Sequence, residues 1–185
     1  MPRTRQPLPV VLAITLPLLL AVAVAVIGLT GRISGVDAPP PPDTTPLATP
    51  PVEAPDAGSP ECTALLARLD GGLPADGSTL PVRELAEPAP AGVRAWAASP
   101  RPVVLRCGLP RPAELTPTSA LLEIDGVQWL ELDDGVPDPV VVTYVTVDRP
   151  VYVVLTTPVD AGSGPLQTVS GVVRDTLPAT AVAVR

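Results

Sequence analysis

Four carboxylates form the clearest sequence signal for chemistry in this chain. They are Glu131, Asp133, Asp134 and Asp138. A pair of carboxylates can act as general acid and general base in glycoside hydrolysis, which requires no histidine. Carboxylate oxygens also bind Ca²⁺, but the spacing of these four does not match an EF-hand loop. An exposed acidic turn between two strands is the simpler interpretation, so we expect neither a catalytic residue nor a metal site.

The composition excludes several other kinds of active site within this chain. It contains no histidine and no lysine. Without histidine there is no Ser-His-Asp triad, no Cys-His pair and no imidazole ligand for a metal. Without lysine there is no Schiff base. Neither a GxGxxG nor a P-loop motif occurs. We therefore expect no cofactor, and either carboxylate chemistry or no chemistry.

Three further side chains are candidates for contacts with a ligand or partner: Arg106, Tyr144 and Tyr152. Arg106 has apolar neighbours in the sequence, where it could bind an anionic ligand bidentately. The simpler alternative is an ion pair with a carboxylate on an adjacent strand, such as Glu123. The two tyrosines fall on the predicted non-core face of a hairpin, where they could anchor a partner or only cover the sheet.

The charge of the chain argues against nucleic acid as a partner. The formal net charge is −7, and aromatic residues make up only 2% of the chain. An acidic surface repels phosphate backbones and anionic lipid headgroups, and so few aromatic rings cannot form a base-stacking platform.

An uncharged apolar stretch runs from Leu8 to Leu29. It is long enough for a transmembrane helix, which needs about 20 apolar residues. Arg3 and Arg5 precede it and Arg32 follows, so the positive-inside rule places residues 1–7 in the cytoplasm. We expect a single-pass anchor in the cell membrane (residues 8–29), with a cleaved signal peptide as the alternative.

Two regions follow the apolar stretch. Residues 30–60 are rich in proline, which favours polyproline II and predicts a semi-rigid extracytoplasmic linker. Residues 61–185 have the size of one domain. Ser59 and Pro60 are typical of a helix start, and a second helix is predicted over Pro165–Leu177 with Ser163 as its cap. Residues 73–101 are assigned mostly to loop, with a helical turn around Val93–Ala98 that buries Trp96.

Alternating apolar residues predict about five strands in this domain. They are Val103–Cys107, Ala120–Ile124, Val127–Leu132, Val140–Val147 and Val151–Thr157. Asp125-Gly126 is a strong type I′ turn signal, and a two-residue turn would pair Ile124 with Val127 and Leu122 with Trp129.

The second predicted hairpin turns at Asp148-Arg149-Pro150. A three-residue loop there would place one apolar set on the core face: Val145, Val147, Val151, Val153 and Leu155. The other face would carry Tyr144, Thr146, Tyr152 and Thr156. The tail, Ala179–Val184, would form a last edge strand or a frayed end. The expected fold is α+β, an antiparallel sheet of about five strands with two helices packed on one face, preceded by a single transmembrane helix.

The chain has two cysteines, Cys62 and Cys107. In an exported domain such a pair predicts a disulfide. Two buried free thiols or a redox pair are the alternatives, although a redox pair favours Cys-x-x-Cys spacing.

Several segments together resemble a known protein family. They are Cys62 with Leu65 and Leu69, Pro102–Gly108, Asp125–Trp129 and Val147–Tyr152. These segments are similar to an uncharacterised actinobacterial family, domain-of-unknown-function family 3515, and the resemblance covers residues 60–178. It implies a membrane-anchored or secreted envelope protein, and it implies no activity and no catalytic residues.

We therefore expect a non-catalytic binding or structural module of the cell envelope. Its expected partners are the membrane, through one helix, and envelope proteins or cell-wall components. A carboxylate-dependent hydrolase acting on envelope polysaccharide is one alternative, and it requires two carboxylates in one cleft. A carrier of a small apolar ligand is another, and it requires a sizeable apolar cavity.

Overall fold

The computed structural model describes residues 8–34, 41–132 and 135–184. The chain divides into two compact units, Met1–Pro39 and Pro40–Arg185. The first unit contains helix α1 (Leu8–Ser34), which includes Pro17. The sheets, the other helices and the hydrophobic core all belong to the second unit.

The predicted membrane anchor requires correction. Crossing the hydrocarbon core takes about 20 consecutive apolar residues in one helix. Within the described part of the chain, no helix combines the length and the apolar character needed to cross a membrane. This finding overturns the predicted transmembrane helix at Leu8–Leu29. The predicted cytoplasmic segment, residues 1–7, lies outside the described residues.

The second unit is built on a seven-stranded antiparallel sheet with the strand order β3-β4-β5-β9-β8-β7-β6. Its strands are β3 (Val82–Arg83), β4 (Val93–Trp96), β5 (Val103–Leu109), β6 (Leu122–Ile124), β7 (Val127–Leu132), β8 (Val141–Thr146) and β9 (Tyr152–Pro158). A separate two-stranded sheet pairs β1 (Leu73–Ala75) with β2 (Ser78–Leu80). The prediction of about five strands is therefore wrong.

The additional strands come from residues 73–101, which were assigned mostly to loop. Four short strands form there, and Trp96 is buried in β4 and not in a helical turn. Its indole Nε1 donates a 2.8 Å hydrogen bond to the carbonyl oxygen of Gly71. These strands are two to four residues long. Strands of this length are too short to show a periodic apolar pattern in the sequence.

Two helices of the second unit pack on the same face of the large sheet. They are α2 (Pro60–Ala67) and α3 (Gly164–Thr176), and a 3-10 turn (Val159–Ala161) precedes α3. Ser59 caps α2 as expected, because its hydroxyl accepts a 3.2 Å bond from the Cys62 amide. The main core lies between these helices and the sheet. Its largest fully buried side chains include Leu65, Trp96, Leu105, Trp129, Leu155 and Val169.

The predicted disulfide is present. Cys62 of α2 is bonded to Cys107 of β5, with 5.6 Å between the two Cα atoms. Both cysteines are buried in the main core. The bond therefore fastens the first helix of the core to a central strand of the sheet.

The first predicted hairpin has the expected register. Ile124 pairs with Val127 and Leu122 with Trp129. Asp125 and Gly126 both have positive φ, 52° and 72°, as a type I′ turn requires. This turn signal predicted the strand pairing correctly, because both turn residues tolerate the left-handed region.

The second hairpin has a register different from the predicted one. Val145 pairs with Val154 and Tyr144 with Leu155, a shift of one residue. The Thr146 hydroxyl accepts a 2.9 Å bond from the Val153 amide at the end of the ladder. A one-residue shift moves side chains to the other face. The predicted common face of Val145, Val147, Val153 and Leu155 is therefore wrong.

The register shift produces a second, smaller core on the face opposite the helices. Its buried members are Leu115, Leu130 and Val147. The C-terminal residues cover it without forming a strand. The Thr180 amide donates to the Asp148 carbonyl (2.9 Å), and Arg111 Nε donates to the Ala183 carbonyl (3.0 Å).

The described part of the proline-rich segment before α2 belongs to the second unit and contacts its sheet. Leu47 forms a parallel bridge with Leu85, beside β3. Nearby, the buried Arg83 donates through Nη2 to Asp43 Oδ2 at 2.7 Å and through Nε to the Thr45 carbonyl at 2.7 Å. Further on, a Cβ atom at Gly108 (φ +85°) would overlap the backbone of Asp56 and Ala57. Only glycine permits that close approach.

We expect Ser170→Ala to destabilise the protein by about 1–3 kcal/mol. The Ser170 hydroxyl accepts a 2.9 Å bond from Trp129 Nε1 and donates a 2.7 Å bond to the Leu166 carbonyl. Its loss leaves the indole N–H buried without an acceptor. Urea unfolding measures the change, and Ser163→Ala, which removes an exposed serine that caps no backbone N–H, is the control. Equal effects of the two substitutions would contradict the assignment.

We also expect the contact between residues 43–47 and β3 to weaken in acid. The pKa of Asp43 lies below its usual value of 3.8, because the backbone N–H of Thr45 and then its hydroxyl donate to the carboxylate. Arg83 adds attraction. A lowered folded-state pKa means that this stabilisation is present above 3.8 and is lost as the pH falls through the lowered value.

The Leu47 amide, which donates to the Glu84 carbonyl at 2.8 Å, reports this change in an NMR pH titration. Its chemical shift should follow a midpoint below 3.8. Asp43→Asn should abolish that transition. A midpoint at or above 3.8, or an unchanged transition in the variant, would refute the expectation.

Candidate functional site

Arg106 lies in β5 on the face of the sheet opposite the helices. It is paired with Val93 of β4 and Val154 of β9. Its suggested partner Glu123 lies on β6, at the far edge of the sheet, with β9, β8 and β7 between them. The ion pair with Glu123 therefore does not form.

The guanidinium of Arg106 has an unusual environment. Its Nη1 atom is buried and has no hydrogen-bond partner. Among the described residues, no carboxylate forms an ion pair with it. Desolvation by burial lowers the pKa of Arg106 from its ordinary value. An arginine remains charged nevertheless, and an unsatisfied buried donor costs about 1–3 kcal/mol.

A small cavity of about 80 Å³ adjoins Arg106. The proline-rich segment contributes Val52 and Ala54 to its lining, and the loop before β4 contributes Pro90. Leu109 lines it from β5. Apart from the guanidinium, these lining residues are apolar, so the cavity combines a cation with hydrophobic walls.

The two candidate tyrosines lie on opposite faces of the sheet. Tyr144 pairs with Leu155 and packs against the main core, on the helix face. Burial, and then the negative charge of Glu131 on the paired strand, raise the pKa of Tyr144. Tyr152 pairs with Leu109 after a bulge in β5 and falls on the face of Arg106. The structure therefore does not bring Arg106, Tyr144 and Tyr152 into one site.

Tyr144 borders a cleft of about 210 Å³ at the start of α3. Ser163 and Leu166 line the cleft from the helix, and Thr157 and Val159 line it from the end of β9 and the turn that follows. The cleft is shallow and mainly apolar, and it is separate from the cavity at Arg106.

The acidic cluster is only partly described. Glu131 is exposed on β7 and Asp138 is exposed in the loop that follows, whereas Asp133 and Asp134 lie outside the described residues. Within the described ranges, no three side chains of the metal-binding types come together in a group that could hold an ion.

A larger groove, which the sequence did not predict, lies at the β6 edge of the sheet. We call it the edge groove. It has a volume of about 520 Å³. Its apolar lining consists of Ala120, Leu122, Leu130, Leu132, Pro139, Val141 and Val142, and its polar lining of Glu114, Ser119 and Glu131.

The edge groove lies where strand β6 is missing beside β7, because β6 is shorter than the sequence predicted. Strand β6 begins at Leu122 and not at Ala120, and its ladder with β7 ends at Trp129. Before it, the Ser119 hydroxyl accepts a 2.9 Å bond from the Thr116 amide, which closes a turn. The turn-forming residues around Pro117 were the sequence signal for this early end of the strand.

The open part of β7 exposes backbone groups beside the edge groove. The Val147 amide donates to the Gln128 carbonyl (3.0 Å), so the peptide groups of Gln128, Leu130 and Leu132 point towards β8. Those of Glu131 point the other way, past the end of β6. The groove therefore offers one backbone donor and one acceptor together with two carboxylates.

Comparison with known proteins gives a family and no closer relative. Searches of curated proteins and of solved structures found no match. The sequence matches the family described as "Protein of unknown function (DUF3515)" over residues 13–182. That match spans nearly the whole chain and agrees with the resemblance in the cysteine-flanked segments, so the chain belongs to this family.

Proposed function

We propose that the protein is a non-catalytic binding module that works outside the cytoplasm and receives an extended, positively charged polypeptide segment in the edge groove. The observation that carries this proposal is the groove itself. Its volume of about 520 Å³ falls within the range of about 300–1,000 Å³ that is typical of ligand sites. It joins an apolar floor to an unfinished strand edge.

The strand edge supports an extended segment as the ligand. A peptide that lies beside Glu131 can pair with its outward N–H and C=O, as in strand addition to a sheet edge. Alternate side chains of the peptide would then face the leucines of the groove. Leu122 is 43% exposed, so the free protein leaves an apolar surface there that a partner can cover.

The charge of the groove supports a cationic segment. Glu114 and Glu131 line it, and no arginine is among the described residues of its lining. The chain as a whole carries a net charge of −7, which attracts cationic partners over a longer range. An anionic partner would place its negative charges against the carboxylates of Glu114 and Glu131.

The two alternatives from the sequence receive less support. Glu114 and Glu131 line one groove, which is the arrangement that a hydrolase would need. However, both side chains are exposed, whereas a carboxyl group that acts as a general acid is typically held in an apolar pocket. A carrier of an apolar ligand needs an enclosed cavity, and the edge groove is open to solvent.

The disulfide supports a location outside the cytoplasm. Disulfides persist in oxidising compartments and are rare in reducing ones. The Cys62–Cys107 bond closes a loop with a sequence separation of 45 residues, which contributes about 4 kcal/mol in the chain-entropy model. A fold that this disulfide stabilises is suited to an oxidising compartment, where the bond persists.

Glu114→Gln combined with Glu131→Gln should weaken binding of a cationic strand. The probe is a capped peptide that alternates lysine and valine, titrated into the full chain and followed by calorimetry at low salt. Loss of two exposed charge pairs should reduce the affinity by roughly two- to tenfold, and added salt should reduce it in the wild type.

The matched control is Glu53→Gln with Glu84→Gln, which removes the same net charge at exposed positions outside the groove. This control should bind the peptide as the wild type does. Equal weakening in both double variants, or equal binding of a peptide that alternates glutamate and valine, would refute the proposed groove.

Cys62 and Cys107 should be oxidised in the cells that produce the protein. Acid-quenched cells treated with a thiol-alkylating reagent, followed by mass mapping without reductant, should give the cross-linked peptide pair. Recovery of both cysteines as alkylated free thiols would contradict the proposed compartment. It would leave the peptide-binding experiment unaffected.

A further inference from the structure

Arg106 and the cavity beside it form a second candidate site, on a different part of the sheet from the edge groove. The guanidinium has one buried nitrogen, Nη1, without a hydrogen-bond partner. The residues paired with it on both neighbouring strands, Val93 and Val154, are apolar. Among the described residues no carboxylate pairs with this guanidinium, so an anion that reaches it would meet an uncompensated positive charge.

We propose that Arg106 binds the carboxylate of a small aliphatic acid, with the alkyl part of the ligand in the adjoining cavity. A guanidinium and a carboxylate are both planar and can form two parallel hydrogen bonds. The proposal does not depend on the peptide bound in the edge groove.

The cavity determines the class of the anion. It has a volume of about 80 Å³, and Val52, Ala54 and Pro90 are among its apolar lining residues. Its lining contains one cationic side chain, so a single negative charge is matched. Inorganic phosphate carries more charge and more acceptor oxygens, and apolar walls would leave those oxygens without donors. A carboxylate that ends a short alkyl chain fits both the charge and the walls.

The cavity wall includes a segment that a tertiary hydrogen bond holds against the sheet. Val52 and Ala54 lie in the proline-rich stretch before α2, and the Asp56 amide, two residues later, donates a 3.1 Å bond to the Gly108 carbonyl. That bond places the stretch beside the end of β5, close to Arg106. The cation and the apolar wall therefore come from parts of the chain about 50 residues apart, and β5 unites them.

The test is a titration of the full chain, labelled with ¹⁵N-arginine, with butyrate at constant ionic strength. Guanidinium signals are followed by NMR. One arginine signal should shift and saturate with butyrate, and also with N-acetylvaline if peptide C-termini bind in the same way. Butyramide, which has nearly the same shape without the charge, should cause no shift.

Three variants identify the site. Arg106→Gln should weaken butyrate binding by about tenfold or more, because the charged bidentate contact is lost. Arg101→Gln, which removes an exposed arginine elsewhere, should leave the binding unchanged. Ala54→Leu fills the cavity and retains the charge, so it should weaken butyrate binding even if Arg106→Gln does not fold.

The outcomes separate this site from the edge groove. Glu114→Gln with Glu131→Gln should not change butyrate binding. No saturable shift in the wild type would overturn the proposal, as would tighter binding of inorganic phosphate than of butyrate. Retention of butyrate binding in Ala54→Leu would overturn the role of the cavity.

Discussion

The disulfide between Cys62 and Cys107 is the constraint on which most of the second unit depends. It fixes α2 to β5, a strand that lies inside the sheet with β4 on one side and β9 on the other. The helix is held at its other end too, because Arg94 Nη2 of β4 donates a 3.1 Å bond to the Leu66 carbonyl in the last turn. The chain before α2 runs along the end of β5, where Gly108 allows its close passage.

The two hairpin turns determine which residues face each core. The turn at Asp125-Gly126 depends on local sequence, because both residues readily adopt positive φ. The turn at Asp148-Arg149 has one local partner and one that is distant in sequence. The buried Arg149 forms a 2.7 Å ion pair with Asp148 and donates a 2.8 Å bond from Nη2 to the Gly126 carbonyl. The bond to Gly126 therefore links the second turn to the first.

The same contrast explains what the sequence could predict. The N-terminal cap of α2, the apolar stripe of α3 and the first hairpin depend on residues close in sequence, and these were predictable. Strands β1 to β4 are too short for a periodic pattern, and the register of the second hairpin depends on Thr146 and Arg149 contacts. The surroundings of Arg106 could not be predicted for another reason. Local pattern placed it in a strand, but only the strand order reveals that β6 and its Glu123 lie far away.

The edge groove and the cavity at Arg106 differ in which group of the sheet lacks a hydrogen-bond partner. At β6 the ladder ends early and leaves the peptide groups of Glu131 without a neighbouring strand, on a surface rich in carboxylates. At β5 the ladder is complete on both sides, and the unmatched group is a side chain, the Arg106 guanidinium. The proposed ligand of the first is an extended cationic segment, and that of the second is a compact anion. Because β9, β8 and β7 separate the two, ligands of opposite charge can occupy them without competing.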